Sequence, residues 1–400
     1  MGAGDEEKAR RKEKRGMKRC RDVDDAGQRE DAAARAISAA SAQAGSEAEE
    51  ERRLLKMERK AAKRARREKA RLEVEASEEG SGSTGSDKRE GSRLPPHSKI
   101  LAPMVGGSEL AFRLLCRRYG VDLAYTPMMS SERFAADSEY RRQEFQTTPE
   151  DRPLVAHFSA NNPQHLLAAA RWVEHSCDAI DLNLGCPQRI AHAGHFGSYL
   201  LGQEDRDLVI SIVKTAAENL SIPVFVKIRL LDSVSETIEL CQQLADAGAA
   251  LIAIHARYRV NLVGRSGPGA RDGAAMLEQI APVRAALLGY VNKTTGQRVR
   301  IVANGNVRTA ADVEANREYT GADGIMSAEG ILDNPAIFSG DDAPDKLSLA
   351  SEYLALVARY PVKLRSLIFH LRRLCRDELA HYQVGPCIAS SQPRRPPRPY

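Results

Sequence analysis

The chain has 400 residues, 42% of them hydrophobic, with 59 Lys and Arg against 54 Asp and Glu for a formal net charge of +5. That length accommodates one large or two ordinary domains with a real core. No apolar run reaches the ~18–20 residues of a spanning helix and charge begins at Asp5, so a soluble protein of the cytoplasm or nucleus is expected, without membrane or secretory segments. Seven Cys without CxxC pairs argue against a disulfide framework or a Cys-rich zinc site, and no metal is expected.

Residues 1–97 contain no Phe, Tyr or Trp, yet carry 25 Lys and Arg and 21 Asp and Glu. Such a stretch cannot bury enough apolar surface to offset its ordering entropy, and it reads as a disordered or partly helical charged tail. Its basic clusters, Lys8 to Arg21 and Lys60 to Arg71, fit either a solvated tail or a nucleic-acid arm or nuclear-import signal. Ser46 to Ala76 reads as a charged helix without an apolar stripe, and the Gly-Ser-rich Glu78 to Ser92 as a flexible linker.

Beyond Ser98 come eight short apolar runs of β type: Ile100 to Val105, Leu123 to Thr126, Leu154 to Phe158, Ala179 to Leu184, Val224 to Arg229, Leu251 to His255, Arg300 to Ala303 and Gly324 to Ser327. Helical spacing fills the intervals. Asn162-Pro163 reads as an N-cap followed by proline at the first helical position, with Leu166, Leu167, Ala170 and Val173 on one face. Helices near Glu236 to Ala247 and from Thr309 stop at Gly248 and Gly321. Strict β-then-α alternation over residues 98–340, close to the ~250 typical of the fold, predicts an α/β chain built as a closed (β/α)8 TIM barrel. A dinucleotide fold would want GxGxxG after the first strand, where Gly106-Gly107-Ser108-Glu109 stands instead.

Residues 345–384 lack strand patterns and read as a small helical domain. Leu354, Val357, Leu364, Leu367, Ile368, Leu371 and Leu374 are its apolar positions, and Arg365, Arg372, Arg373 and Arg376 form a basic side. Residues 385–400 are Pro- and Arg-rich and are expected to be disordered.

In such a barrel the carboxyl ends of the strands carry the chemistry. They supply Pro103-Met104, His157, Asn183, Gly185, Cys186, Lys227, Arg229, His255, Asn304-Gly305-Asn306 and Glu329-Gly330. Glycines after the last two strands let backbone N–H groups approach a phosphate. Cys186 stands between Gly185 and Pro187, outside any apolar run, and fits a general acid or a nucleophile; Cys116, Cys177 and Cys241 read as small buried hydrophobes. Lys227 and Arg229 alternate with Val226 and Ile228 and so face the same side, where two cations require an anion. His255 reads either as a satisfied core histidine or as a ligand contact near the phosphate loops.

The runs LAPMVGGSELAFRLLCRRYG, DAIDLNLGCPQRIAHAGHFGSYL, VFVKIRL, IAIHAR, IVANGNV and TGADGIMSAEGILDNPAIF resemble the tRNA-dihydrouridine synthase family, in particular its eukaryotic subfamily acting at positions 16 and 17 of the D-loop. The likeness covers roughly Ile100 to Gln383 in unbroken motif order. It implies an FMN-containing barrel with a carboxyl-terminal helical domain that binds tRNA and reduces uridine with NADPH or NADH. By the resemblance, Cys186 is the general acid for uracil carbon 5. Pro103, Met104 and Val105 line the flavin through backbone contacts, and Lys227 stabilises negative charge on it. Asn183 and Arg229 hold the base, extruded from the RNA. His255 lies beside FMN, and Asn304, Gly305, Asn306, Ala328, Glu329 and Gly330 cradle its phosphate. His157 replaces a Gln common in the family and is retained as a flavin contact.

Three departures bear on this. The loop Arg257 to Gly273 differs from the family's Thr-containing pattern, Glu329 replaces the Arg of bacterial members, and the helical domain ends early, as if truncated. Two other functions share parts of the pattern: a flavin barrel reducing a free pyrimidine, and a tRNA-binding protein with impaired catalysis. Oligomeric state leaves no trace in the sequence.

Overall fold

The computed structural model describes residues 99–259, 273–292, 296–340 and 343–381. The expected tails at residues 1–97 and 385–400, and the loop at residues 260–272, lie outside the described residues. Nine strands form one sheet: β1 (Lys99–Leu101), β2 (Leu123–Tyr125), β3 (Met129–Ser130), β4 (Leu154–Ser159), β5 (Ala179–Leu184), β6 (Val224–Leu230), β7 (Ala249–Tyr258), β8 (Arg300–Asn304) and β9 (Gly324–Ser327). All named pairings are parallel, and because β2 pairs with both β1 and β4 while β1 pairs with β9, eight strands close into the expected barrel. The ninth, β3, is a two-residue strip beside the end of β4, too short to leave a periodic signature.

Strand alternation splits the apolar residues into two sets. Ile100, Leu123, Tyr125, Val155, Ala179, Phe225, Leu251, Ala253, Val302 and Met326 fill the barrel interior, while the larger core lies between the strands and the surrounding helices. On β4 to β7 the inward face turns polar toward the carboxyl end: Val155 is followed by His157, Ala179 by Asp181 and Asn183, Phe225 by Lys227 and Arg229, and Ala253 by His255. The apolar tier is thus a floor beneath a polar one.

The helices obey the expected punctuation. Asn162 Oδ1 accepts from the backbone N–H groups of Gln164 and His165 to cap Pro163–Val173. Thr309 and Asp312 form a capping box on Ala310–Thr320, which ends at left-handed Gly321. The first strand is shorter than expected, since Ala102 to Gly107 leaves the sheet in a turn that Ser108 Oγ ties down by accepting from Met104 N.

Among the described residues, the region after the barrel forms three helices, Lys346–Arg359, Leu364–Leu374 and Arg376–His381. Pro361 interrupts the first pair. Of the expected apolar positions Ile368 and Leu374 are buried and Val357, Leu367 and Leu371 pack partly buried against the core, whereas Leu354 and Leu364 are exposed; Leu349, Ala350, Tyr353, Leu356 and His370 complete the buried face. Its anchor is polar. Glu109, just before helix Leu110–Arg118, accepts hydrogen bonds from Tyr353 OH at 2.7 Å and meets His370 Nε2 at 3.1 Å, while the His370 ring stacks on Phe112.

A second buried ion cluster fixes that helix to the approach of β4. Asp151 is fully buried and receives Arg113 Nη2 at 2.6 Å and Arg117 Nε at 3.1 Å. Removing one partner of such a cluster strands buried charge. Asp151→Ala is expected to lower unfolding free energy by about 3–5 kcal/mol in urea titrations, as is usual for breaking a buried pair; a loss below about 1 kcal/mol would mean that solvent already screens these charges.

Candidate active site

Parallel register gathers the polar tier. Across neighbouring strands His157 pairs with Asp181, Asn183 with Lys227, Arg229 with His255, and His255 with Asn304. These inward positions at the carboxyl ends bring together residues separated by as many as 147 positions in the chain, from His157 to Asn304.

At one side of this tier is a cavity of about 290 Å³ lined by Pro103, Lys227, His255, Asn304, Gly305, Asn306, Ala328 and Glu329, together with Arg257, Gly273 and Arg308. Lys227 Nζ donates to Asn304 Oδ1 at 3.0 Å, and Asn304 Nδ2 donates to Met326 O. Burial, with Arg229 adding repulsion, pulls the Lys227 ammonium down to about 8. His255 is pushed well below its ordinary value by burial and by Lys227, Arg229 and Arg257, so it is neutral at pH 7. Its Nε2 accepts from Arg257 Nη1 at 2.8 Å, which places the ring proton on Nδ1.

The wall after β8 is rigid. Asn306 adopts a left-handed φ of 51° and clasps Ala275, its Oδ1 accepting from Ala275 N while its Nδ2 donates to Ala275 O. Gly305 has φ 140°, and a Cβ there would come within 2.5 Å of the Ala275 methyl. At the neighbouring corner Glu329 is drawn toward the helical region by Arg373, whose Nη2 donates to Glu329 Oε2 at 2.9 Å. The carboxylate is thereby partly neutralised beside a site rich in cations.

Cys186 sits at the exit of β5, half-buried and outside the lining of that cavity. Its N–H and that of Gly185 both donate to Asn183 Oδ1, at 2.9 and 3.0 Å. Its carbonyl accepts from Ser198 N and Ser198 Oγ, each at 3.1 Å. Gly197 packs directly on it at φ 68°, where a Cβ would lie 2.8 Å from Cys186 O. Burial pushes the thiol above its usual value, against weaker opposing effects from a Gln188 backbone N–H, Arg229 and Lys227. The group is therefore a protonated thiol at neutral pH, suited to donate a proton rather than to attack.

Several expected contacts lie elsewhere. Met104 and Asn183 do not line the cavity, and Val105 borders a separate cleft against the helical region with Phe369 and Arg365. The resemblance puts His157 against the flavin, but its ring is 1% exposed and both nitrogens are engaged, with Asp181 and Asn183. Arg229 is likewise buried, and donates to Gly185 O and Tyr258 O, stapling the ends of β5 and β7. Of the basic side, Arg373 and Arg376 pair with Asp333, so the two are not free cations. Asp181, Arg257 and Arg308 are additions to the expected set. Asp181 precedes Asn183 by two residues and Arg257 follows His255 by two, so strand alternation alone puts each on an inward face.

The family model described as Dihydrouridine synthase (Dus) matches residues 100–374. A Mus musculus protein named as tRNA-dihydrouridine(16/17) synthase (NAD(P)(+))-like is 42% identical over 286 residues, 71% of this chain and 56% of the mouse protein. The namesake from Saccharomyces cerevisiae is 39% identical over 266 residues, covering 66% of this chain and 59% of the yeast protein. A human tRNA-dihydrouridine(20a/20b) synthase-like protein is 35% identical over 245 residues, 60% of this chain and 71% of its own. The match thus spans less than two thirds of the mouse and yeast proteins.

The seating of Cys186 can be read by alkylation. Iodoacetamide labelling of the Cys186 peptide, followed by mass spectrometry, is expected to be slow at pH 7 and to accelerate above pH 9, following the raised thiol. Gly197→Ala, strained at positive φ and pressed on the Cys186 carbonyl, should move that curve to lower pH by loosening the corner. An identical curve for the variant would show that Gly197 does not hold Cys186.

Proposed function

The chain belongs to the dihydrouridine synthase family, and on that premise we propose that it reduces uridine to 5,6-dihydrouridine in the D-loop of tRNA, at positions 16 and 17, using FMN and NADPH or NADH. The observation that carries the reading is the juxtaposition of a protonated thiol, Cys186, with a cavity lined by Lys227, Arg257 and Arg308. The same tier holds both, since Asn183, three residues before the thiol, pairs in register with Lys227.

The donor set fits FMN. A lysine whose charge is penalised by burial gains from an anionic partner, and a glycine-bearing corner at Asn304 to Asn306 admits close backbone approach. Neutral His255 can donate through Nδ1 without adding charge. When bound, FMN would supply hydride to uracil carbon 6. Cys186 Sγ–H gives its proton to carbon 5 as the C5=C6 π bond is lost, and the resulting thiolate is reprotonated from solvent. Lys227 and Arg229 ease the transient negative charge on that sulfur, as their lowering effect on the thiol indicates. Asn183 has its oxygen committed to the Cys186 corner and one amide hydrogen to His157, leaving one N–H for a uracil carbonyl. Arg229 holds the frame through backbone carbonyls and supports the base indirectly. For the RNA, Arg365 and Arg372 remain the candidate cations of the helical region.

Two outcomes test this reading. Cys186→Ala should retain FMN and tRNA binding while dihydrouridine formation falls at least about 100-fold, the usual lower range for losing a positioned proton donor; undiminished formation would remove Cys186 from the chemistry. FMN affinity should be highest at neutral pH and fall between pH 7 and 9, because Lys227 loses its proton near 8 in the free protein and a bound anion raises that value. Equilibrium dialysis showing affinity that is flat or rises over that range would exclude a charged Lys227 from holding the cofactor.

A further inference from the structure

Inside the barrel, behind the Cys186 corner, lies a three-residue chain of which the proposed chemistry uses only Asn183. Asp181 is fully buried and its Oδ2 lies 2.6 Å from His157 Nδ1. His157 Nε2 in turn lies 2.8 Å from Asn183 Nδ2. Asn183 Oδ1 then accepts from the N–H groups of Gly185 and Cys186.

The direction of every bond in this chain is determined from one end. Two backbone N–H donors fix which side of the Asn183 amide is oxygen, so Nδ2 must face His157. His157 Nε2 must then be the acceptor, and the single ring proton sits on Nδ1, donated to Asp181. The backbone of His157 is itself held, its N–H donating to Thr126 Oγ1 at 3.0 Å, and Tyr125 meets the ring edge-on. In a water-poor interior such a chain is stiff, because breaking any link leaves a buried polar group unsatisfied.

We propose that His157, anchored by Asp181, is a positioning residue that locks the Asn183 amide and thereby the Cys186 corner. The proposal rests on the reading of Cys186 as proton donor for its effect on turnover, but not for its effect on the thiol itself. A Gln at this position can donate to Asp181 through its Nε2 and accept from Asn183 through its Oε1, so the two side chains are alternative bridges between the same partners. Without the bridge Asn183 Nδ2 loses its acceptor, and the amide is held from one end only, by the Gly185 and Cys186 N–H groups, which loosens the corner.

The test compares His157→Leu, which keeps bulk but no hydrogen bond, with His157→Gln. His157→Phe, a ring without nitrogens, serves in its place if the Leu variant does not fold by circular dichroism. Three quantities are read on the full chain: turnover with tRNA, KM for tRNA, and the pH dependence of Cys186 alkylation. The apolar variant is expected to lower turnover about 10- to 100-fold, the range for losing a buried hydrogen bond, with KM within about twofold, and to shift the alkylation curve. His157→Gln should restore most of both. An apolar variant with unchanged turnover and unchanged alkylation would overturn the proposal, as would a Gln variant as impaired as the apolar one. If the wild-type chain forms no dihydrouridine but its alkylation curve still depends on His157 and is rescued by Gln, the positioning role stands and the proposed function falls.

Discussion

Two cations enclosed at the carboxyl ends of a parallel barrel, Lys227 and Arg229, set the terms for the residues around them. Both sit on the inward face of β6, Lys227 two residues and Arg229 four residues beyond Phe225 of the apolar floor. Neither can be enclosed without compensation, and the structure solves the two cases differently. Arg229 is buried against backbone carbonyls of the adjoining strand ends, where its fork acts as a clamp. Lys227 borders the cavity with a single side-chain acceptor, Asn304, and a depressed pKa. The imbalance left at Lys227 suits the cavity to an anion, and Lys227 adds to the burial that keeps His255 neutral.

The polar tier extends beyond the cavity because register links it to the thiol corner. Asp181 offers negative charge to Lys227 and, through His157 and Asn183, reaches the loop of Cys186. The helical region joins the same system from outside. Arg373 withdraws the Glu329 carboxylate from the cavity's cations, and Glu109 binds Tyr353 and His370 just beyond the turn that carries Pro103 and Met104. Substitutions in the helical region can therefore alter the site's electrostatics without touching a ligand.

Much of this was readable in the sequence because it follows from periodicity and punctuation. Eight apolar runs, the Asn162-Pro163 cap and the Gly321 stop correspond to strands and helix ends. Residues at strand ends were found where the barrel puts its chemistry, and eight of them line the cavity. What was hidden is orientation and partnership. Alternation shows that Asp181 shares a face with Asn183, but not that it lies directly opposite His157 on the adjacent β4, so the interior partners of His157 leave no mark in the sequence. Helical spacing marked Leu354 and Leu364 as apolar positions and Arg373 as part of a basic side, whereas packing leaves those two leucines exposed and draws Arg373 into an ion pair. The two-residue β3 is below the length at which a pattern exists.

We propose that the cation-lined cavity holds FMN and acts with the Cys186 corner on particular uridines of tRNA. The most direct measurement is position-resolved mapping of dihydrouridine in tRNA lacking the modification, after incubation with the purified full chain, FMN and NADPH or NADH. The account predicts new dihydrouridine at positions 16 and 17 and none in the same reaction without reductant. Dihydrouridine confined to other positions, or its absence from a protein that binds both FMN and tRNA, would contradict it.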